Sequence, residues 1–403
     1  MIRRVKFQNS TRKYLRNFSS VIGTIGPKFP KSYHHDHLQR KKHCYSVYAW
    51  GTSKYDSIPL TQSEKTSEEG GGGATSLLKS SNVVYDNPKY IDMLSILNLD
   101  ATQQKKVSVE EFQCGNDKSA VILSDGSCYT WGHNYQGQLG LGHADNVTSP
   151  TLVELSSTTS MSSISLHSVF SACVASDTGD LYTFGSNGSA FQDEMGFLGH
   201  GDENNYYTPK LVESLVEDGC SVSHVALGSA HMAVVTTEGE LLTAGAGSYG
   251  RLGNLEPTNQ LYLEPVELLA NQEVVQVDVG NAFSLALTSD GILHGWGRND
   301  KGQLGDGGSM MVDMYAMENL PRPIEGQLEG RMVVKVATGY AHAACITDKG
   351  ELFLWGMSQS LEPMLVPSML DKKVRIYFYF ILCCLCYGIL TLFGSLCLSS
   401  YSV

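Results

Sequence analysis

With 403 residues, 42% of them hydrophobic, the chain can bury one large core and leaves no room for a second catalytic domain. The net charge of -12 hides a more acidic body, because eight of the 29 Lys and Arg fall within the first 35 residues and leave 41 acidic side chains facing 21 basic ones. That sign opposes general nucleic-acid binding, where clustered cations neutralise phosphate, and no direct DNA contact is expected.

The chain opens on Arg3, Arg4, Lys6, Arg12, Lys13, Arg16, Lys28 and Lys31, interspersed with Ser, Thr and Asn, and its first acidic residue is Asp36. Spaced arginines without acids describe a mitochondrial transit peptide, and Arg16-Asn17-Phe18-Ser19-Ser20 matches the type of region where such peptides are cleaved. Residues 1–40 are therefore expected to be a targeting or disordered segment. A solvated basic tail with a nuclear role is the alternative. His34, His35 and His37 lack partner ligands at defined spacing, so no metal is assigned to them.

A folded domain is expected over 43–370. Its first unit is faint, Val47-Tyr48-Ala49-Trp50-Gly51, and is followed by a Ser/Glu-rich insert over about 61–82 with Gly70 to Gly73 at its middle, a flexible loop by composition. Beyond it a frame repeats five times. Anchor glycines Gly132, Gly185, Gly245, Gly297 and Gly356 each have a glycine six residues upstream, at Gly126, Gly179, Gly239, Gly291 and Gly350. A third lies seventeen residues upstream at Gly115, Gly228, Gly280 and Gly339, with Ser168 standing in for it in the second copy.

Each frame reads as a hairpin with a two-residue turn at its inner glycine. The hairpin ends on an aromatic-glycine pair in four copies, Trp131-Gly132, Phe184-Gly185, Trp296-Gly297 and Trp355-Gly356, and a Gly-x-Leu-Gly loop follows in all but the last. Anchor intervals of 53, 60, 52 and 59 residues hold about four short strands each. The prediction is an all-β fold, a β-propeller with about six traceable blades.

The pattern from Gly115 through Trp131-Gly132-His133-Asn134-Tyr135-Gln136-Gly137-Gln138-Leu139-Gly140 resembles the repeat of the regulator of chromosome condensation family, over about Val47 to Leu370. The resemblance implies a seven-bladed propeller whose ring is closed by strands from the two chain ends. It does not imply one function, since such propellers serve as exchange factors, ubiquitin-ligase modules, light sensors and scaffolds. The Gly-Trp-Arg-His-Thr motif of the light sensors is absent.

Among the exchange factors an aspartate on the propeller face meets the GTPase, and Gly115-Asn116-Asp117 matches that repeat with Lys118 in place of histidine. Asp117, Asn116 and Lys118 are accordingly the candidate partner-binding residues, against an Asx-type turn at the loop entry. His231 and His342, three residues after Gly228 and Gly339, share a repeat phase with Lys118 and Phe283. They are expected to be structural, bonding backbone between neighbouring blades, and Trp131, Trp296 and Trp355 to pack the next blade.

Cys44, Cys114, Cys128, Cys173, Cys220 and Cys345 are scattered through the repeats without a zinc-type pair, and neither a metal nor a cofactor is expected. The last segment, 371–403, begins with Lys372, Lys373 and Arg375 and then runs 28 residues without a charge, Ile376 to Val403. It meets the physical requirement for a membrane anchor with basic flanks; the alternative is an aberrant terminus where the closing strands belong. Two readings of function remain open. The first is a non-catalytic mitochondrial interaction module for a protein or ribonucleoprotein, in the matrix or at the inner membrane. The second is an exchange factor for a mitochondrial GTPase.

Overall fold

The computed structural model describes residues 21–25, 46–53, 83–91, 93–97, 99, 103 and 106–367, apart from 116, 156–158, 190–193, 308–315 and 358–359. Residues 1–20, most of the insert and the uncharged segment 376–403 lie outside the described residues. The first sheet, blade 1, is known here by its backbone pairing alone: β1 (Val21–Ile25), β2 (Ser46–Ser53) and β3 (Val83–Ile91), all antiparallel. β1 lies upstream of the boundary at 43 read from the sequence.

Five four-stranded antiparallel sheets follow. Blade 2 is β4 (Val109–Gly115), β5 (Lys118–Leu123), β6 (Cys128–Gly132) and β7 (Val147–Val153). Blade 3 is β8 (Met161–Leu166), β9 (Phe170–Ala175), β10 (Leu181–Gly185) and β13 (Tyr206–Leu211), with a small inserted hairpin of β11 (Gly188–Ser189) and β12 (Glu194–Met195). Blade 4 runs β14 (Val222–Leu227), β15 (His231–Thr236), β16 (Leu241–Gly245) and β17 (Gln260–Pro265). Blade 5 is β18 (Val274–Val279), β19 (Phe283–Thr288), β20 (Leu293–Arg298) and β21 (Met317–Pro323), and blade 6 is β22 (Val333–Thr338), β23 (His342–Thr347), β24 (Leu352–Gly356) and β25 (Met364–Leu365). The first strand of each blade packs against the first strand of the next, which places these strands innermost.

The second strand of each of blades 2 to 6 is buried along its whole length, and apolar clusters fill the seams between sheets. In blades 2 to 5 the inner glycine ties one sheet to the next: the carbonyls of Gly126, Gly179, Gly239 and Gly291 accept from the backbone N–H of Met161, Val222, Val274 and Val333 at 2.8–3.0 Å. All five inner glycines, Gly350 included, sit at φ between +74° and +85°, as hairpin turns require. The turns differ from the expected two-residue type. In blade 2 Gly126 N–H returns to Leu123 O, and Leu123 N–H reaches Ser127 O, so the loop holds three residues and its glycine takes the left-handed bulge position. Blades 4, 5 and 6 repeat this geometry.

Blade 3 has one residue more, with Gly179 N–H bonding Ala175 O and Ala175 N–H bonding Asp180 O. The extra residue shifts the frame upstream of it. His167, whose N–H bonds Phe170 O as Gly228 N–H bonds His231 O, holds the phase assigned to Ser168 from the sequence. The tryptophans also pack the other way from the expectation. Trp296 Nε1 donates to Arg251 O at 3.0 Å and Trp355 Nε1 to Gln303 O at 2.9 Å, each reaching back to the Gly-x-Leu-Gly loop of the preceding blade.

A further repeat escaped the sequence reading. Where the third and outer strands slip register, the outer strand carries Pro88, Pro150, Pro209 or Pro321, with Leu263 in blade 4, and Pro363 holds this phase just ahead of β25. A residue with no N–H fits where the ladder is interrupted.

Candidate functional site

Two sets of loops share one rim of the propeller. One set joins the first and second strands of each blade, and the other follows the third strand. They are stitched together the same way in each blade, the carbonyls of Asp117, Val169, Ala230, Ala282 and Ala341 accepting from the N–H of His133, Ser186, Ala246, Arg298 and Met357 at 2.8–2.9 Å. Of the candidate residues, Asp117 falls on this loop face, in blade 2.

Asn116 lies outside the described residues. Among the described residues at its phase, Asp117 alone has a left-handed backbone, φ +65°, a conformation aspartate tolerates better than most side chains. Its side chain is half-buried, and Oδ1 is enclosed with no hydrogen-bond partner among the described residues. An Asx turn through that oxygen is therefore not formed, and a buried acceptor without a donor costs about 1–3 kcal/mol.

Lys118 departs from the expectation of a partner contact. Its side chain is 1% exposed and points into the seam between blades 2 and 3, where Nζ donates to Ser168 O at 3.2 Å. The amine takes the volume that His231 and His342 fill in their blades. Burial pulls its pKa down to about 7 against the opposing pull of Asp117. Gln138 Nε2 also reaches Ser168 O, at 3.2 Å, and lies 2.9 Å from His133 Nδ1, while Ser168 Oγ lies 3.1 Å from His167 Nδ1. Burial, then the charge of Lys118, lowers the His167 pKa to about 3.

His231 and His342 are not part of this cluster. His231 is fully buried, with Nε2 3.0 Å from Ser284 Oγ of blade 5, and burial holds its pKa well below the usual imidazole range. It joins two blades as expected, through the Phe283 backbone and the Ser284 hydroxyl of blade 5. His342 begins β23 and is likewise buried.

A second polar group on the same face was missed. Arg298 stacks over the Tyr249 ring at 4.8 Å and pairs with Asp300 at 2.8 Å; Arg251, almost wholly buried, pairs with Glu194 of the inserted hairpin at 3.2 Å. Tyr249 is the other non-glycine residue with positive φ among the described residues, +61°. The sequence signal was faint, since residues from three blades meet there. Tyr135, edge-on to His133 at 4.6 Å, and Tyr340 project into solvent at 59% and 56% exposure. The face thus offers exposed aromatic rings, a stacked guanidinium and one half-buried carboxylate, groups suited to docking a polar protein surface.

The model of the regulator of chromosome condensation (RCC1) repeat matches residues 125–174, 178–235, 238–287 and 290–346. The chain belongs to the RCC1 repeat family. Among curated relatives, the human E3 ubiquitin-protein ligase HERC2 is 30% identical over 65% of this chain and 6% of its own length. The mitochondrial RCC1 domain-containing protein RUG3 of Arabidopsis thaliana is 31% identical over 65% of the chain and 59% of its own. The bovine secretion-regulating guanine nucleotide exchange factor is 32% identical over 60% and 50%. The chain thus spans well under two thirds of these relatives' lengths. Among solved structures, human WBSCR16 superposes with a TM-score of 0.62 at 18% identity, covering 87% of this chain and 94% of that one. Prp20p of Saccharomyces cerevisiae, described with its binding to Gsp1p and histones, gives 0.59 at 17% identity over 80% and 72%. At these identities the superpositions establish the RCC1 propeller fold and nothing narrower. Within the family some members are exchange factors and others carry different activities.

Proposed function

We propose that this RCC1 propeller is a non-catalytic interaction module of mitochondria, docking a protein or ribonucleoprotein partner on its loop face. The observation that carries the reading is the composition of that face: Tyr135, Tyr340 and the Arg298–Tyr249 stack offer rigid aromatic and guanidinium contacts over a well-packed scaffold. Mitochondrial residence is supported by the spaced, acid-free basic N-terminus and by the mitochondrial relative RUG3. Whether the partner sits in the matrix or at the inner membrane belongs to the same proposal.

Asp117 favours a second reading, exchange on a mitochondrial GTPase. A carboxylate on the loop face, with one oxygen lacking a donor, can compete with nucleotide phosphate for a cationic group of a GTPase and loosen nucleotide and metal. An exchange-factor relative supports it. The test pairs capture of partners from isolated mitochondria with nucleotide release from candidate GTPases, using the wild-type chain and Asp117→Asn. Asparagine keeps the tolerance for φ +65° and removes the charge. Stimulated release lost at least tenfold in that variant, with melting unchanged, selects exchange. Capture without stimulated release selects the docking module, and neither capture nor release refutes both.

A further inference from the structure

Lys118 points into the seam rather than out of the loop face, yet it follows directly on the carboxylate of Asp117. At its phase blades 3 to 6 carry Phe170, His231, Phe283 and His342, so the seam has the volume of a neutral ring. An ammonium fits that volume poorly. It carries three donors, and among the described residues its acceptor is Ser168 O at 3.2 Å. Gln138 brings no second acceptor, because its Oε1 takes the Gln136 N–H at 2.8 Å and its amide nitrogen lies 3.2 Å from the same Ser168 O.

The groups around the amine leave Asp117 as its counter-charge. Across the ladder Lys118 pairs with Gly115 and Gly132, which bring no side chain. From blade 3 it faces His167, a ring that burial keeps neutral with a pKa of about 3. From the blade 2 loop His133 closes the cluster, its Nδ1 accepting from the Gln138 amide at 2.9 Å. Asp117 Oδ1 is enclosed without a hydrogen-bond partner among the described residues, so this oxygen and the amine act on each other through space. Away from water that interaction is strong. Burial outweighs it, and the amine gives up its proton at about pH 7.

We propose that Lys118 gates the docking of a cationic partner group at Asp117: with its proton the amine offsets the carboxylate, and without it the loop face of blade 2 regains a full negative charge. The gate rests on the loop face being the docking surface, and it adds a residue that acts on the partner without touching it. Linkage fixes the sign. A cation held at Asp117 repels the proton on Lys118, so docking releases that proton and tightens as pH rises through neutrality. Above that range the amine is already neutral and the affinity levels off.

The test uses the full chain, labelled with carbon-13 in its lysine side chains and aspartate carboxyls and followed by NMR. One lysine Cε signal, the one missing from Lys118→Met, is expected to titrate near neutral pH. The Asp117 carboxyl signal, identified by its loss in Asp117→Asn, is expected to move in the same step and to lose that step in Lys118→Met. A Lys118 signal still charged at about pH 9, or an Asp117 signal indifferent to Lys118, would overturn the gate. For a partner captured from isolated mitochondria, affinity is expected to rise about fivefold or more from pH 6 to pH 8, and Lys118→Met is expected to abolish that rise. The same rise in both proteins would also overturn the gate. Capture of no partner would refute docking on the loop face, while the carboxyl signal still decides whether Lys118 controls the charge at Asp117.

Discussion

Replacing Lys118 by methionine keeps most of the side-chain volume and removes an amine that the fold holds out of water. Its pKa falls from 10.5 to about 7, so at 1.36 kcal/mol per unit the buried amine costs up to about 5 kcal/mol of stability once it must be charged in both states. The sign follows from the depressed pKa: the folded protein binds this proton less tightly than the unfolded chain, so stability is full above pH 10.5 and is lost as pH falls through 7. Against this gain the substitution removes one hydrogen bond to Ser168 O, worth about 1 kcal/mol. That carbonyl keeps Gln138 Nε2 at 3.2 Å, so it is not left bare. Lys118→Met is therefore expected to be more stable than wild type by about 2–4 kcal/mol at pH 6, with the two converging towards pH 10. Urea denaturation at several pH values measures it. A variant equal to or weaker than wild type at pH 6, with a gap that does not depend on pH, would refute the reasoning.

Three other outcomes follow from the seams. Gly126→Ala and Gly350→Ala place the same methyl at φ +82° and +80°, but the first would stand 2.1 Å from Ser160 Cβ and the second meets nothing within 4 Å; chemical denaturation should show a loss of about 1–2 kcal/mol at Gly350 and at least 1–3 kcal/mol more at Gly126. Trp355→Phe removes the Nε1 bond to Gln303 O and part of a buried ring, so the folded state should lose about 2–4 kcal/mol, read from the urea midpoint at constant slope. His231 has a folded pKa well below 6.5, so its contribution is present above pH 6.5 and lost as pH falls; His231→Asn should flatten the decline of melting temperature between pH 6.5 and 4.5, and an unchanged slope would count against it.

The frame of the fold was legible because glycine at positive φ leaves a mark in sequence that no packing detail can erase, and five inner glycines six residues before five anchors placed the turns. What was misread turns on one added residue. The four-residue loop ending at Gly179 slides the upstream strand by one, and Ser168 beside His167 made the slip invisible. The outer prolines were missed because loops of different length separate them from their anchors, 18 residues from Gly132 to Pro150 but 24 from Gly185 to Pro209. At the candidate site, Asp117 was placed on a propeller face through the likeness of Gly115-Asn116-Asp117 to the exchange-factor repeat. Lys118 was misjudged, since a lysine at a strand start looks solvated until the partner blade is known. The Tyr249–Arg298 stack joins blades 4 and 5, and pairings across blades leave no local pattern to read.

The prolines on the outer strands also bear on how these molecules behave in a crowd. A propeller exposes one strand edge per blade around its circumference, each a potential template for another chain's backbone. Placing an imino acid where register already breaks denies an incoming strand the donor it needs at mid-edge, at little cost to the blade that carries it. Blade 4, where Leu263 holds that place, is the rim's one departure among the phases described, and its strand still ends on Pro265. The circumference is thereby made a poorer template for an incoming strand.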